Sequence, residues 1–188
     1  MKTRIFTAVL ALIVTGAFAT TNPIKKEVKV KEATITWTGK KITGSHSGTV
    51  NLQEGTLIME GNDLVGGSFT VDMTSLVTTD DLGGGKAKLE GHLKSDDFFG
   101  VANHPTATFT ITDVAKSGNG YSVVGNITIK GVTQSIKVHM AMSGNTASTT
   151  LSIDRTKHGI KYGSSSFFDN LKDRAINDNF DLAISLKF

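Results

Sequence analysis

Residues able to carry chemistry are few in this chain, and their spacing is uninviting. The five histidines His46, His92, His104, His139 and His158 show neither the H-x-H nor the H-E-x-x-H spacing that sets two imidazoles on one metal. Adjacent carboxylates occur at Asp80-Asp81 and Asp96-Asp97. Such types serve glycoside acid/base chemistry, but beside glycines and in turns they suit solvated caps. Ser164-Ser165-Ser166 lacks the G-x-S-x-G elbow that exposes a nucleophile, so it reads as a polar loop. Cysteine is absent, which removes thiol nucleophiles, thiolate metal ligands and disulfides. These observations predict a protein that is no enzyme and has no metal or cofactor.

Two other groups stand out. Arg155 follows an apolar run ending at Ile153 and is preceded by Asp154. Its planar fork suits a diphosphate or quinone head group, or an ion pair with Asp96, Asp97 or Asp169 that locks a loop. Lys157 and Tyr162 share both readings. The second group is a pair of Phe-Phe dipeptides, Phe98-Phe99 in "SDDFFGVANHPTATFTI" and Phe167-Phe168 in "RTKHGIKYGSSSFFDNLKDRAIN". Ser95 is expected to cap a short turn beneath the first pair, with Asp96 and Asp97 against its free N–H groups, and Pro105 to hold His104 extended. Held so, the phenylalanines either plug one end of a core or form the lip of a cavity.

Positioning such groups falls to strands. Alternation of period two runs through Phe69, Val71 and Met73, through Ala107, Phe109 and Ile111, and through Tyr121, Val123, Gly125, Ile127 and Ile129. It recurs at Ile136 to Met142, Ala147 to Ile153 and Phe180 to Phe188. Each run buries one face and wets the other. Turn signals lie at Glu54-Gly55, Gly61-Asn62, Ser117 to Gly120, Lys130-Gly131 and Ser143 to Asn145. Connections this short join antiparallel neighbours, so eight or nine strands predict a closed barrel or a sandwich. One helix is expected in "KAKLEGHLKS", where Leu89 and Leu93 make an apolar stripe four residues apart.

The opening "MKTRIFTAVLALIVTGAFA" has Lys2 and Arg4, an apolar stretch and a small-x-small close at Ala17-Phe18-Ala19. It predicts a secretory signal peptide over residues 1–19, with one domain over 20–188 and a periplasmic or secreted location. Its apolar run is too short for a spanning helix, so no stable transmembrane anchor is expected. Losing Lys2 and Arg4 takes the net charge from +3 to +1. No basic stripe with interleaved aromatics remains, which argues against nucleic acid.

"HLKSDDFFGVANHPTATFTI", "GNITIKGVTQSIKV" and "LSIDRTKHGIKYGS", in that order, resemble the YceI-like family of exported proteins that bind polyisoprenoid lipids. Lys157-His158 departs from an acidic-aromatic pattern common there, and Asn126-Ile127 from a preferred leucine. The resemblance implies an all-β fold, an eight-stranded antiparallel lipocalin-like barrel with short helical insertions near its mouth and a lipid chain inside. Candidate lipid contacts are then Phe69, Met73, Phe109, Ile127, Met140 and Leu151 on strands, with Leu89, Leu93, Phe98, Phe99, Phe167 and Phe168 around the mouth. Arg155, Lys157 and Tyr162 are the candidate head-group residues. Small inward positions, Gly48, Val50, Ala107, Gly125 and Ala147, are expected to leave room for the ligand. The expected partner is an isoprenoid or quinone-like lipid, bound by a monomer or homodimer. The competing expectation is a barrel filled by side chains whose loops bind a protein or a surface.

Overall fold

The computed structural model describes residues 24–188; the expected signal peptide lies outside the described residues. Strands β1 (Lys25–Lys29), β2 (Glu32–Lys41), β3 (Gly44–Glu60) and β4 (Asp63–Thr78) come first. After helix α1 (Lys86–Lys94) follow β5 (Thr106–Ser117), β6 (Gly120–Ile129), β7 (Val132–Ser143), β8 (Thr146–Asp154) and β9 (Ile176–Lys187). All pairings are antiparallel, in the order β3-β2-β9-β8-β7-β6-β5-β4, and β4 returns to β3 to close the barrel. β1 and β2 behave as one interrupted strand. β2 pairs with the first half of β3, β1 with the second, and the two are joined at a bend where Val30 N–H donates to Gly55 O. The barrel is therefore eight-stranded and antiparallel, with one short helix.

Alternation sets which face is inward. Along β6, Tyr121, Val123, Ile127 and Ile129 are buried while Asn126 is exposed. Four of the five expected turns join strands. The exception is Glu54-Gly55, which lies inside β3, where the register with β4 slips between Leu52 and Glu54. An extra residue in one strand bends it without ending it, so the glycine marks a bulge. A Cβ at Gly55 would press on Leu52 and on Val30 at the bend.

The wall is uneven at one place. β7 and β8 are twelve and nine residues long, yet they pair only at Ala141–Ser148, Met142–Ala147 and Ser143–Thr146. By contrast β6 and β7 pair continuously from Gly120–Ala141 to Ile129–Val132.

Both long connections, residues 79–105 and 155–175, lie at the same end, opposite the β3–β4, β5–β6 and β7–β8 hairpins. α1 is held there by Leu93, which is buried, by Glu90, which accepts from the Thr78 N–H at 2.8 Å, and by Lys94, which donates to Thr74 O at 2.8 Å. Ser95 acts otherwise than its sequence context predicts. Its hydroxyl donates back to His92 O at 2.7 Å, closing the end of α1 rather than opening the next turn. That turn is fixed by backbone bonds, Phe98 N–H to Ser95 O and Phe99 N–H to Leu93 O.

Candidate functional site in the barrel interior

An elongated cavity of about 180 Å³ occupies the interior. On β9 its lining runs from Ile176 to Leu186, ten residues of strand or roughly 30 Å at ~3.3 Å per residue. Strands of such a barrel tilt by about 35–45° from its axis, so the lining extends about 25 Å along the axis, and so small a volume over that length is a narrow channel. Its walls are almost wholly apolar. Ile35 and Trp37 come from β2, Val50 and Leu52 from β3, and Leu182 and Ile184 from β9.

Of the strand residues expected to contact a ligand, Phe69, Met73, Phe109, Ile127, Met140 and Leu151 all line this cavity. So do Leu93, Phe98 and Phe99. Phe98 and Phe99 meet edge to face at 5.1 Å, and Phe99 meets Phe180 at 6.0 Å. Each is less than 10% exposed, at 7% and 9%. The pair is thus a packed floor at the helical end, plug and cavity wall at once.

Leu89, on α1, packs against the core without reaching the lining. Phe167 and Phe168 are placed differently from the expectation. They are 48% and 50% exposed and touch no part of the cavity; Phe167 carries Lys161 Nζ 4.5 Å above its ring. The physical difference is the segment. Residues 95–101 are folded back onto α1 by three backbone bonds, to His92, Leu93 and Lys94 O, whereas Phe167 and Phe168 N–H groups both turn on Ser164 O, which leaves their rings outside.

The three head-group candidates are not brought together. Lys157 is exposed and lies 3.9 Å from Asp154. Tyr162 is half exposed, its ring 4.4 Å from that of His92, and lies off the lining. Arg155 lines the cavity but is 1% exposed and committed elsewhere. Nε donates to Asn177 O at 2.9 Å, Nη1 to Ile160 O at 2.8 Å and Nη2 to Ile176 O at 3.0 Å. Its face lies 5.5 Å from the Phe98 ring centre, and Asp178 stands 3.7 Å from Nη2. None of the expected acids Asp96, Asp97 or Asp169 is among these partners. Burial pushes Arg155 below its ordinary value, against the pull of Asp178 and Asp154. Burial alone would raise Asp178, but hydrogen bonds from Ser164 and Ser166 and the charge of Arg155 hold it below the usual carboxylate range. Arg155 therefore knits the 155–176 loop to β9, and its fork does not face a ligand.

The small inward residues divide. Val50, Ala107 and Ala147 line the cavity. Gly48 and Gly125 leave no room, because a Cβ would strike the Trp37 indole and Val77 O at the first and the Phe109 ring at the second. Sequence reasoning overlooked Trp37 and Ile35, although their spacing with Thr36 between them carries the same alternation. Elsewhere, Asp80 accepts from Ser47 Oγ at 2.8 Å and sits 3.0 Å from His46 Nδ1, and His158 Nδ1 donates to Val132 O at 2.9 Å. Both serve to join strand ends.

The family model of the YceI-like domain matches residues 26–188. This chain belongs to the YceI-like family. A UPF0312 protein of Yersinia pestis (strain Pestoides F) is 36% identical over 86 residues, which is 42% of this chain and 45% of that protein. A UPF0312 protein of Yersinia enterocolitica matches to the same extent. The chain thus spans about half the length of these curated relatives. Among solved structures, Burkholderia cenocepacia BcnA superposes with TM-score 0.65 at 20% identity, covering 82% of this chain and 94% of BcnA. A polyisoprenoid binding domain from Saccharophagus degradans, implicated in plant cell wall breakdown, gives 0.56 at 14% identity over 84% and 95%. Campylobacter jejuni YCEI protein gives 0.55 at 18% over 100% and 98%. At these identities the likeness is one of fold. Among the described residues no helix is long and apolar enough to cross a membrane.

Proposed function

We propose that this YceI-like barrel binds the chain of an isoprenoid or quinone-type lipid without acting on it, as a carrier or store in the periplasm or outside the cell. The observation that carries the reading is the narrow apolar channel along the barrel axis. Burying hydrocarbon yields about 0.8 kcal/mol per CH₂, offset by the cost of ordering the chain and by competition from a bilayer. A channel one chain wide favours linear tails over fused rings. Met73 and Met140 in its wall supply unbranched, polarizable side chains that repack around methyl branches. The polyisoprenoid binding domain among the structural relatives supports the same ligand class. The exported location rests on the leader-like residues 1–19, and the proposal of no turnover on a channel lining that, among the described residues, holds no His, Asp, Glu or Lys to activate the hydroxyls of Thr108, Ser148 or Thr149.

Protein purified gently from its own cells should release an isoprenoid in organic extract, enriched over a mock purification. Purified protein should take up added quinones or polyprenols. Ala107→Phe, which fills the channel, is expected to lower that uptake about tenfold while thermal stability holds to within about 1–3 kcal/mol. Empty extracts together with no uptake would return the interior to a filled core and favour the loops as the functional surface.

A further inference from the structure

The incomplete β7–β8 ladder is an opening in the barrel wall. Beyond Ala141–Ser148, the register would set Lys137 opposite Ser152 and Ile136 opposite Ile153, but none of these positions pairs. The strands are tethered only at the margins of the gap. Thr149 Oγ1 donates to His139 O at 2.8 Å at one margin, and Gln134 Nε2 to Lys157 O at 3.1 Å and His158 Nδ1 to Val132 O at 2.9 Å at the other. Side-chain tethers of this sort open at little cost compared with a continuous ladder, whose bonds cooperate. Among the described residues both barrel ends are covered by buried side chains. One is floored by Phe98, Phe99 and Leu93, and at the other Leu57, Leu64 and Leu186 are at most 4% exposed.

Outside the gap lies a second depression, of about 500 Å³, built on the outer faces of β2, β9, β8 and β7. Ser148, Thr149 and Ile184 line both spaces from the paired β8–β9 wall, and His139 with Thr150, unpaired across β7–β8, carry the depression to the margin of the gap. Six hydroxyl residues line it, Thr34, Thr36, Ser148, Thr149, Thr150 and Ser185, with His139 beside them, and no Lys, Arg, Asp or Glu. Of the charged residues nearest in register, Glu32 with Lys187 and Lys40 with Asp181 form closed ion pairs at 2.9 and 2.8 Å, and Lys137, exposed on β7 beside the gap, lies off the lining. Hydroxyls donate and accept but do not compensate a phosphate's charge.

We propose that the β7–β8 gap is the portal through which the lipid tail enters sideways, and that the outer hydroxyl-lined depression holds an uncharged, hydrogen-bonding head group such as a quinone or an alcohol. This rests on the lipid-binding reading above, and adds the route and the head-group class. The saturated fork of Arg155 agrees with it, since among the described residues no other cation lines the channel.

The cysteine-free sequence makes the test direct. Lys137→Cys with Ser152→Cys, both exposed, is bridged by a short bis-methanethiosulfonate reagent, and bridging is confirmed by intact mass. Thr128→Cys with Thr133→Cys, facing each other across the complete β6–β7 ladder, serves as the control staple. The probe is a linear long-chain alcohol carrying a fluorescent conjugated tetraene, followed by fluorescence, alongside the same chain capped by phosphate. The gap staple should slow alcohol uptake about tenfold or more, with reductant restoring the rate and the control staple leaving it unchanged. The alcohol should bind at least about tenfold tighter than its phosphate. Unchanged uptake in the gap-stapled protein would overturn the portal, and equal or tighter binding of the phosphate would overturn the head-group assignment. No alcohol uptake by the unstapled protein would instead sink the lipid-binding reading, and this proposal with it.

Discussion

Arg155 shows how a residue chosen for ligand chemistry can be a structural knot. Its three donated bonds reach carbonyls of Ile160, Ile176 and Asn177 from one rigid plane. Lysine keeps the charge but cannot span three carbonyls with that geometry, and it would leave buried acceptors unpaired. Arg155→Lys is expected to lose about 3 kcal/mol, read as a lower urea midpoint. Lipid uptake by the fraction still folded should be unchanged; a loss of uptake exceeding the loss of stability would put the guanidinium at the ligand after all. The two phenylalanine pairs make a parallel contrast. Phe99→Ala removes a buried ring and should cost about 3–5 kcal/mol, whereas Phe168→Ser, on a half-exposed ring, should fall within about 0.5 kcal/mol of the parent in the same denaturation. Sequence gave no means of separating these pairs, since both are Phe-Phe beside Ser or Asp. What separates them is which loop backbone folds onto α1, a non-local matter. The strand residues of the cavity were legible because alternation fixes the face a side chain takes.

At the scale of elements, α1 carries a testable flaw. Gly91 sits inside it, exposed, with nothing within 4 Å of where a Cβ would go and without a positive φ. Gly91→Ala should stabilise the protein by about 0.5–1 kcal/mol through helix propensity alone, seen as a higher unfolding midpoint; a loss would mean that α1 needs its flexibility. Helix and strands were readable from period, four-residue spacing in one case and two in the other. The long β3 was not, because Glu54-Gly55 carries the composition of a turn while the backbone uses it as a bulge. The β7–β8 gap was equally hidden. Ile136, Val138 and Met140 alternate as regularly as Tyr121, Val123 and Ile127 do in β6, whose ladder is complete. Periodicity reports which side faces in, and says nothing of whether a neighbour is bonded.

For the whole molecule, the carboxylates predict how stability answers to acid. Asp80 is held below its ordinary value chiefly by the Ser47 hydroxyl, Asp63 by Lys116, Asp72 by the Thr74 hydroxyl and Asp181 by Lys40, and Asp178 is lowered despite its burial. All five move the same way. Each therefore binds its proton more weakly folded than unfolded, so its contribution is present above the unfolded value of 3.8 and is lost as pH falls through the lower folded value. Thermal midpoints should be level from neutrality to about pH 5 and drop below about pH 4. Salt separates the contributors. The exposed pairs Lys116–Asp63 and Lys40–Asp181 are screened at ordinary ionic strength, while the hydrogen bonds of Asp80 to Ser47, which tie the start of β3 to the chain leaving β4, are not. The acid drop should accordingly persist in high salt, and Asp80→Asn should shrink it more than Asp63→Asn does. A midpoint that stays level to pH 3 would mean that these contacts form equally in the unfolded chain and do not hold the barrel's strand ends.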